Sequence, residues 1–388
     1  MNNLKSFVYK ILDFLFEIRN NIFKCIFIFC PVKENKVLFN NFNGRGYGDN
    51  PKYILEELKN EDFDFVWLTS NLEENMPSAI RKVHPNSIKR LYETATAKVI
   101  VTNVKNDLRF IKKKGQYVIQ TWHGSYSSKR LEAAAADTLS PKYLKESRKN
   151  SKQTDLFISN SRVLSDCYRK DFWCDCEIME CGFPRNDILF KENTGVLEKV
   201  TAFFNIKENC KLAMYAPTFR DDGSVDAYKI DAEKIVEALE KDGNKWKLLI
   251  RMHPNVEECD NLFPFDENIL NATKYPDMQE LLVATDLLIT DYSSTVFEFA
   301  AMEKAVFLYT PDIEEYEKIR GLMPTFFQLP YKKNLNNDEL IQDILESSSQ
   351  KQKQLSQEFT RIFGGVDDGT SSSTIAKRIK DVINGNKF

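Results

Sequence analysis

Between Leu4 and Cys30 apolar residues return at helical spacing: Leu4, Phe7, Ile11, Leu15, Ile18, Ile22 and Ile26, with Val8, Leu12, Phe23 and Phe27 widening the stripe. That period predicts one long amphipathic helix. After Pro31 the pattern shifts to short β-rich runs separated by helical stretches, at 37–42, 65–69, 99–102, 117–121, 156–159 and 177–180. It pauses over a polar stretch at 184–209, then resumes at 212–215, 247–251, 268–271, 287–290 and 305–309. Strands alternating with helices imply parallel sheets covered on both faces. The expectation is an α/β chain of two doubly wound domains: a helix over 1–32, a first domain over 33–190, a second over 205–365, and a C-terminal helix over 366–388. The tail from 338 to 384 reads as two or three helices without a strand.

Composition narrows the function classes. At about 150 residues per domain, 388 residues fit two or three folding units. Lys and Arg total 54 against 57 Asp and Glu, so no basic surplus exists to neutralise a phosphate backbone, and nucleic acid is not an expected partner. The eight cysteines form no regular framework and no CxxC pair, which suits free thiols in a reducing compartment. Cys167, Cys174, Cys176 and Cys181 cluster without the paired spacing of a zinc site, so no metal is expected. In the N-terminal helix, Lys10, Asp13, Glu17, Arg19 and Lys24 interrupt every window of about 20 residues that a membrane span needs. Asp13 and Glu17 also break the apolar core a signal peptide requires. The helix either packs on the body of the protein or lies in a lipid interface with Lys5, Lys10, Arg19 and Lys24 near headgroups. Phe7, Phe14, Phe16, Phe23 and Phe29 make its apolar surface wide, which favours membrane contact from the cytoplasmic side.

In open α/β sheets ligands sit beyond the carboxyl ends of the strands. Two of the three histidines fall there: His123 after the run ending in Trp122, and His253 after the run ending in Met252. Gly124 permits close backbone approach beside the first, and Pro254 fixes the turn after the second. Both read either as turn residues capping nearby backbone or as functional groups, and the shared placement favours function. His84, before Pro85 and with no strand leading into it, reads as structural. Thr218 and Arg220 follow another strand, and an arginine fork suits a phosphate. Asp291, Tyr292, Ser293, Ser294 and Thr295 form the exit turn of a further strand and open an apolar helix, so Ser293 and Ser294 are placed to hold an anion, to cap the helix, or both. Gly44, Gly46 and Gly48 make a glycine-rich turn before a helix that Asn50 can cap and Pro51 can begin, and Arg45 within it either meets an anionic acceptor or merely solvates the loop. Asp291 is the only carboxylate at the centre of this constellation, so charge on a phosphate would be met by Arg, Ser, Thr and His rather than by carboxylate-held Mg.

Five separated motifs, Gln120-Thr-Trp-His-Gly124, Gly182-Phe-Pro-Arg-Asn-Asp187, Tyr215-Ala-Pro-Thr-Phe-Arg220, Arg251-Met-His-Pro254 and Ile289-Thr-Asp-Tyr-Ser-Ser294 with Phe297-Glu-Phe-Ala300, resemble in this order the CDP-glycerol glycerophosphotransferases of bacterial teichoic acids and polyol phosphate capsules. The resemblance implies a GT-B fold, two Rossmann-like domains facing across a cleft, attached to the cytoplasmic membrane leaflet. It implies transfer of a polyol phosphate from a CDP-linked donor, glycerol or ribitol, to a hydroxyl of a lipid-linked saccharide or polymer, releasing CMP without a cofactor. It further implies His123 as general base and His253 as a ligand of the donor diphosphate, with Thr218, Arg220, Arg251, Ser293 and Ser294 completing that site. Glu298 would reach the cytidine ribose or serve structure, as would Asp291; Gly44, Arg45, Gly46 and Gly124 would face the acceptor. After Trp-His-Gly the teichoic acid enzymes usually continue Thr-Pro-Leu-Lys, whereas this chain reads Ser125-Tyr-Ser-Ser-Lys129-Arg130. That leaves capsule as plausible an acceptor as teichoic acid. The rival readings are a GT-B glycosyltransferase using a CMP-linked sugar such as sialic acid, and a noncatalytic membrane-docked assembly subunit.

Overall fold

The computed structural model describes residues 2–105, 110–125, 128–192, 194–220, 223–253, 256 and 261–386, with side chains from residue 14 onward. The strands β1 (Lys33–Asn40), β2 (Asp64–Leu68), β3 (Arg81–Val83), β4 (Ala97–Thr102), β5 (Tyr117–Gln120), β6 (Leu156–Ser159) and β7 (Glu177–Glu180) form one parallel sheet in the order β3-β2-β1-β4-β5-β6-β7. A second parallel sheet holds β8 (Lys211–Tyr215), β9 (Trp246–Ile250), β10 (Ile269–Asn271), β11 (Leu287–Thr290), β12 (Ala305–Tyr309) and β13 (Lys333–Asn334) in the order β10-β9-β8-β11-β12-β13. Each apolar run is buried on both faces, as parallel strands with helices above and below must be. Val37, Phe39, Phe65, Trp67, Val99 and Val101 join one core while the alternate residues Leu38, Val66, Leu68 and Ile100 join the core on the other face. Met214, Leu249, Leu288 and Leu308 oppose Tyr215, Leu248, Ile289 and Phe307 in the same way.

The pattern missed β3 and β13, edge strands too short to show a period. β1 begins at Lys33 rather than 37, because its polar start pairs Lys33 with Ala97 across a register shift. Strand order reverses between β1 and β4 and again between β8 and β11, so each sheet has one crevice at the carboxyl ends of those strands.

The tail forms helices Asn337–Leu345, Ser349–Phe363 and Ser371–Ile383. The middle one sends Phe359 and Phe363 into the second domain's core. The last crosses back: Ile375, Ala376, Ile379 and Val382 join the first domain's core, and Asp187 accepts hydrogen bonds from the N–H groups of Ser371 and Ser372 at its start. A carboxylate there complements the helix dipole.

The N-terminal helix spans Asn2–Phe27. One flank docks on the helix Ile88–Thr96, with Phe27 edge-on to Tyr92 at 5.6 Å. Arg19, expected near headgroups, instead donates to the Asn86 carbonyl at 3.0 Å. Phe14, Leu15, Ile18, Ile22, Ile26 and Phe29 remain exposed on the other flank. No helix among the described residues is long and apolar enough to cross a membrane. Those residues also hold no group of three or more His, Cys, Asp and Glu able to bind a metal.

Candidate functional site

His123 leaves β5 through a backbone kink, since Trp122 before it has φ +53°, a region costly for a bulky residue and typical of functional turns. The half-buried imidazole lies against Trp122 and Phe42, with centroids 4.1 and 5.1 Å away. Its Nδ1 is 2.7 Å from the carbonyl oxygen of Asn103. A carbonyl only accepts, so Nδ1 carries the proton and Nε2 is left with a lone pair. Burial lowers the His123 pKa from its ordinary 6.5, and the Arg185 and Lys129 charges push it the same way against Asn103 and Asp49. The ring is a neutral base at neutral pH.

His253 reaches solvent at the exit of β9, its ring 5.3 Å from that of Phe219. Desolvation by its surroundings lowers its pKa, and Lys129 and Arg45 act in the same direction. Lys129 therefore stands within electrostatic reach of both imidazoles, one from each domain. Pro254, expected to fix the turn after His253, lies outside the described residues, as do Tyr126 and Ser127. The domains close on each other at the same place: a methyl group on Gly124 would stand 3.5 Å from Ser294 Oγ. Ser128 and Arg130 bond with Met323 and Gly321 across the gap, and Lys129 bridges Leu322. Gly321, at φ +71°, has no room for a side chain against the Arg130 guanidinium.

The remaining second-domain residues divide into free and committed groups. Thr218 donates its N–H to both Asp291 oxygens, while its buried hydroxyl has no partner. Ser294 begins the helix Thr295–Ala301 without a side-chain capping bond, and Ser293 Oγ accepts from Thr295. Two turns of helix supply only a small dipole, so hydroxyls rather than the helix carry any anion binding there. Arg220 does not present the expected free fork: Nε and Nη2 donate to Asp312 at 2.6 and 3.0 Å, and Nη1 pairs with Asp291 at 2.8 Å. Arg251 likewise is committed, donating to the Ala272 and Tyr275 carbonyls at 2.8 Å each. Glu298 is not placed as a free ribose ligand, because its buried carboxylate holds Arg185 at 2.8 Å. Asp291 thus holds the Thr218 backbone and Arg220, Arg251 Nη1 holds two loop carbonyls, and Glu298 holds Arg185.

Arg185 is the residue that pattern reading overlooked. Its motif was visible, but its role depends on contacts remote in sequence. Nη1 donates to Asp49 and to the His123 carbonyl, both at 2.7 Å, and Nη2 reaches Glu298 in the second domain. Asn50, expected as a helix cap, instead donates to the Trp122 carbonyl and accepts from the Arg185 N–H. Asn103 donates to Asn41 and Asp49. In the glycine-rich turn, Gly44 at φ +88° donates to Asn41, and Arg45 and Gly46 accept from it, so the turn is a built one. Arg45 itself is exposed and turned toward His253's charge environment. His84 accepts from the Asn86 N–H and is structural.

The model of the family described as CDP-Glycerol:Poly(glycerophosphate) glycerophosphotransferase matches residues 22–381. The teichoic acid poly(glycerol phosphate) polymerase of Staphylococcus epidermidis is 30% identical over 374 residues, covering 90% of this chain and 51% of that protein. The chain thus spans about half the length of that relative and of its Bacillus subtilis counterpart, at 51% and 49%. A Bacillus spizizenii protein of the same name is 28% identical and is covered over 98% of its length, against 95% of this chain. The solved wall teichoic acid polymerase TagF superposes with a TM-score of 0.83 at 28% identity, covering 99% of this chain and 98% of that one. A variant of it soaked with CDPG gives 0.82, also at 28% identity over 99% and 98%. The two facing parallel-sheet domains are the GT-B architecture, and the match over nearly the whole sequence makes the chain a member of the CDP-glycerol:poly(glycerophosphate) glycerophosphotransferase family.

Proposed function

We propose that this chain transfers glycerol phosphate from CDP-glycerol to a hydroxyl of a lipid-linked glycan or growing polymer, releasing CMP, in teichoic acid synthesis. The observation that carries this reading is the closeness of the two domains beside a neutral His123, where a methyl group on Gly124 would stand 3.5 Å from Ser294 Oγ. His123 Nε2 takes the proton of the acceptor hydroxyl as it attacks the β-phosphorus in line. Negative charge then grows on the oxygen departing with CMP. In this reading the Thr218 and Ser294 hydroxyls, the His253 ring and the Lys129 and Arg45 charges meet that phosphate. Positioning and electrostatics supply the acceleration, as in phosphoryl transfer generally. No cofactor is required by these steps. The exposed stripe of Leu15, Ile18, Ile22 and Ile26 fits attachment to the cytoplasmic membrane face, where such acceptors lie.

The test is release of CMP from CDP-glycerol, CDP-ribitol and CMP-sialic acid with lipid-linked acceptors, followed by the product masses. Turnover of CDP-glycerol with addition of glycerol phosphate units is expected. His123→Ala should lose about 10²–10⁴-fold in rate while binding CDP-glycerol within a few-fold. Turnover of CMP-sialic acid alone would establish the glycosyltransferase reading, and binding without turnover across all acceptors the noncatalytic one.

A further inference from the structure

Apart from the cleft, the first domain holds a close pair of thiols: Cys174 Sγ and Cys176 Sγ lie 3.4 Å apart. They stand two residues apart in the irregular segment that leads into β7. Two further features pin them. Trp173, at φ +52°, turns the chain sharply before Cys174. Arg169 Nη1 then donates to the carbonyls of Cys174 at 3.0 Å and Cys176 at 2.6 Å, holding the two residues in one arc. The same guanidinium nitrogen sits 3.9 Å from Cys174 Sγ, and the Lys105 ammonium lies against the neighbouring Phe172 and Trp173 rings. Cations beside a thiol favour its thiolate.

The other two thiols of the cluster are unlike this pair. Burial and the adjacent Asp171 push Cys167 up to about 12, and burial with Asp367 and Asp187 does the same to Cys181. The hydrogen bond between the pair, by contrast, lowers Cys174, while it and burial raise Cys176, so the proton the two sulfurs share rests on Cys176. A metal cage does not explain the pair, since no third His, Cys, Asp or Glu ligand accompanies it among the described residues. Cys174 is buried against the core that holds Trp122, while Cys176 is partly open to solvent.

We propose that Cys174 and Cys176 form a reversible dithiol–disulfide site whose oxidant is a hydroperoxide. The pair carries one proton between its sulfurs once the first has left; it rests on Cys176 and passes across the 3.4 Å contact to Cys174 as the more open sulfur of Cys176 attacks as the thiolate. Cys176 becomes a sulfenic acid and the hydroperoxide leaves as its alkoxide. Cys174 then attacks the Cys176 sulfur and expels hydroxide. The two thiol protons end on the alkoxide and the hydroxide, so two thiols and one hydroperoxide give one disulfide, one alcohol and one water; hydrogen peroxide gives two waters.

The experiment treats the full chain, in a Cys181→Ser background, with one to a few equivalents of hydrogen peroxide, then alkylates and digests with trypsin. The peptide spanning 171–185 then contains only these two thiols. The expected product is that peptide lighter by two hydrogens and resistant to alkylation, returning to the doubly alkylated form after dithiothreitol. Adding Cys176→Ser, a change at the more open position, should abolish the light form and leave Cys174 alkylatable. Adding Cys174→Ser should instead leave a sulfenic acid on Cys176 that dimedone traps. Doubly alkylated peptide after treatment, or conversion of Cys176 to sulfinic acid without a cross-link, overturns the proposal.

Discussion

With His123 as the proposed base, the bond between its Nδ1 and the Asn103 carbonyl would leave Nε2 to take the proton, and burial, helped by two cations, would keep that nitrogen free. Because burial, Arg185 and Lys129 all lower this pKa, the acidic limb of kcat/KM is expected below 6.5. Removing a positive charge lets the ring keep its proton to higher pH. Lys129→Ala should therefore move that limb upward, costing more activity at pH 6 than at pH 8, with the backbone bridge of residue 129 retained. A limb that stays in place would separate Lys129 from the imidazole. Stability follows the same sign: a histidine held neutral leaves the unfolded chain binding more protons, so its stabilising contribution is present above 6.5 and fades as pH falls through it. The orphan hydroxyl of Thr218 makes a second residue-scale prediction. Thr218→Val removes a group with no protein partner, so the melting temperature should hold or rise. A lost ligand hydrogen bond of about 0.5–1.5 kcal/mol should weaken CDP-glycerol binding up to about tenfold by calorimetry.

Among the elements, the 3-10 turn Pro184–Phe190 outweighs its length, because Arg185 within it joins β5's exit, the helix Asp49–Leu58 and the helix Thr295–Ala301. Arg185→Ala leaves Asp49 and Glu298 buried without their cation, a loss of about 3–5 kcal/mol. Arg185→Lys keeps the charge but not the fork that spans three acceptors. Its expected signature is a fall in kcat with a nearly unchanged KM for CDP-glycerol, and coupling with Glu298→Gln in a double-mutant cycle; independent effects would reduce the network to packing. This turn also marks where the sequence stopped being legible. The interior strands were readable because double-sided burial writes a continuous apolar run, and with them the placement of both histidines at strand exits. The protein partners of Arg220, Arg251 and Glu298 were not readable, since a residue type at a strand exit does not reveal that Asp312, the Ala272 carbonyl or Arg185 lies within bonding distance. Asn50 looked like a cap for the same reason: its true partners, Trp122 and Arg185, lie far along the chain.

For the whole molecule, the N-terminal helix raises the question of what its outer flank faces. Phe14 is 63% exposed, Leu15 54%, Ile22 54%, Ile26 51% and Phe29 88%, an apolar band that its docking on Ile88–Thr96 leaves open. Arg19 is turned inward, so on the described side chains attachment to a membrane would rest more on apolar area than on headgroup pairing. Full burial of an isoleucine is worth about 1.5–3 kcal/mol, so replacing Ile18, Ile22 and Ile26 together with Ser should cost several orders of magnitude in lipid partitioning. The substitutions touch none of the residues around His123, and the inner contacts of Phe27 and Arg19 survive them. In a vesicle sedimentation assay the parent protein should pellet with lipid and the triple variant should stay in the supernatant. Transfer to a short water-soluble acceptor should proceed at the parent rate, while transfer to an acceptor embedded in the same vesicles should collapse. Equal pelleting of the two proteins would mean that the band is covered by something other than lipid. Equal losses on both acceptors would mean that the helix shapes the cleft instead of delivering it to the membrane.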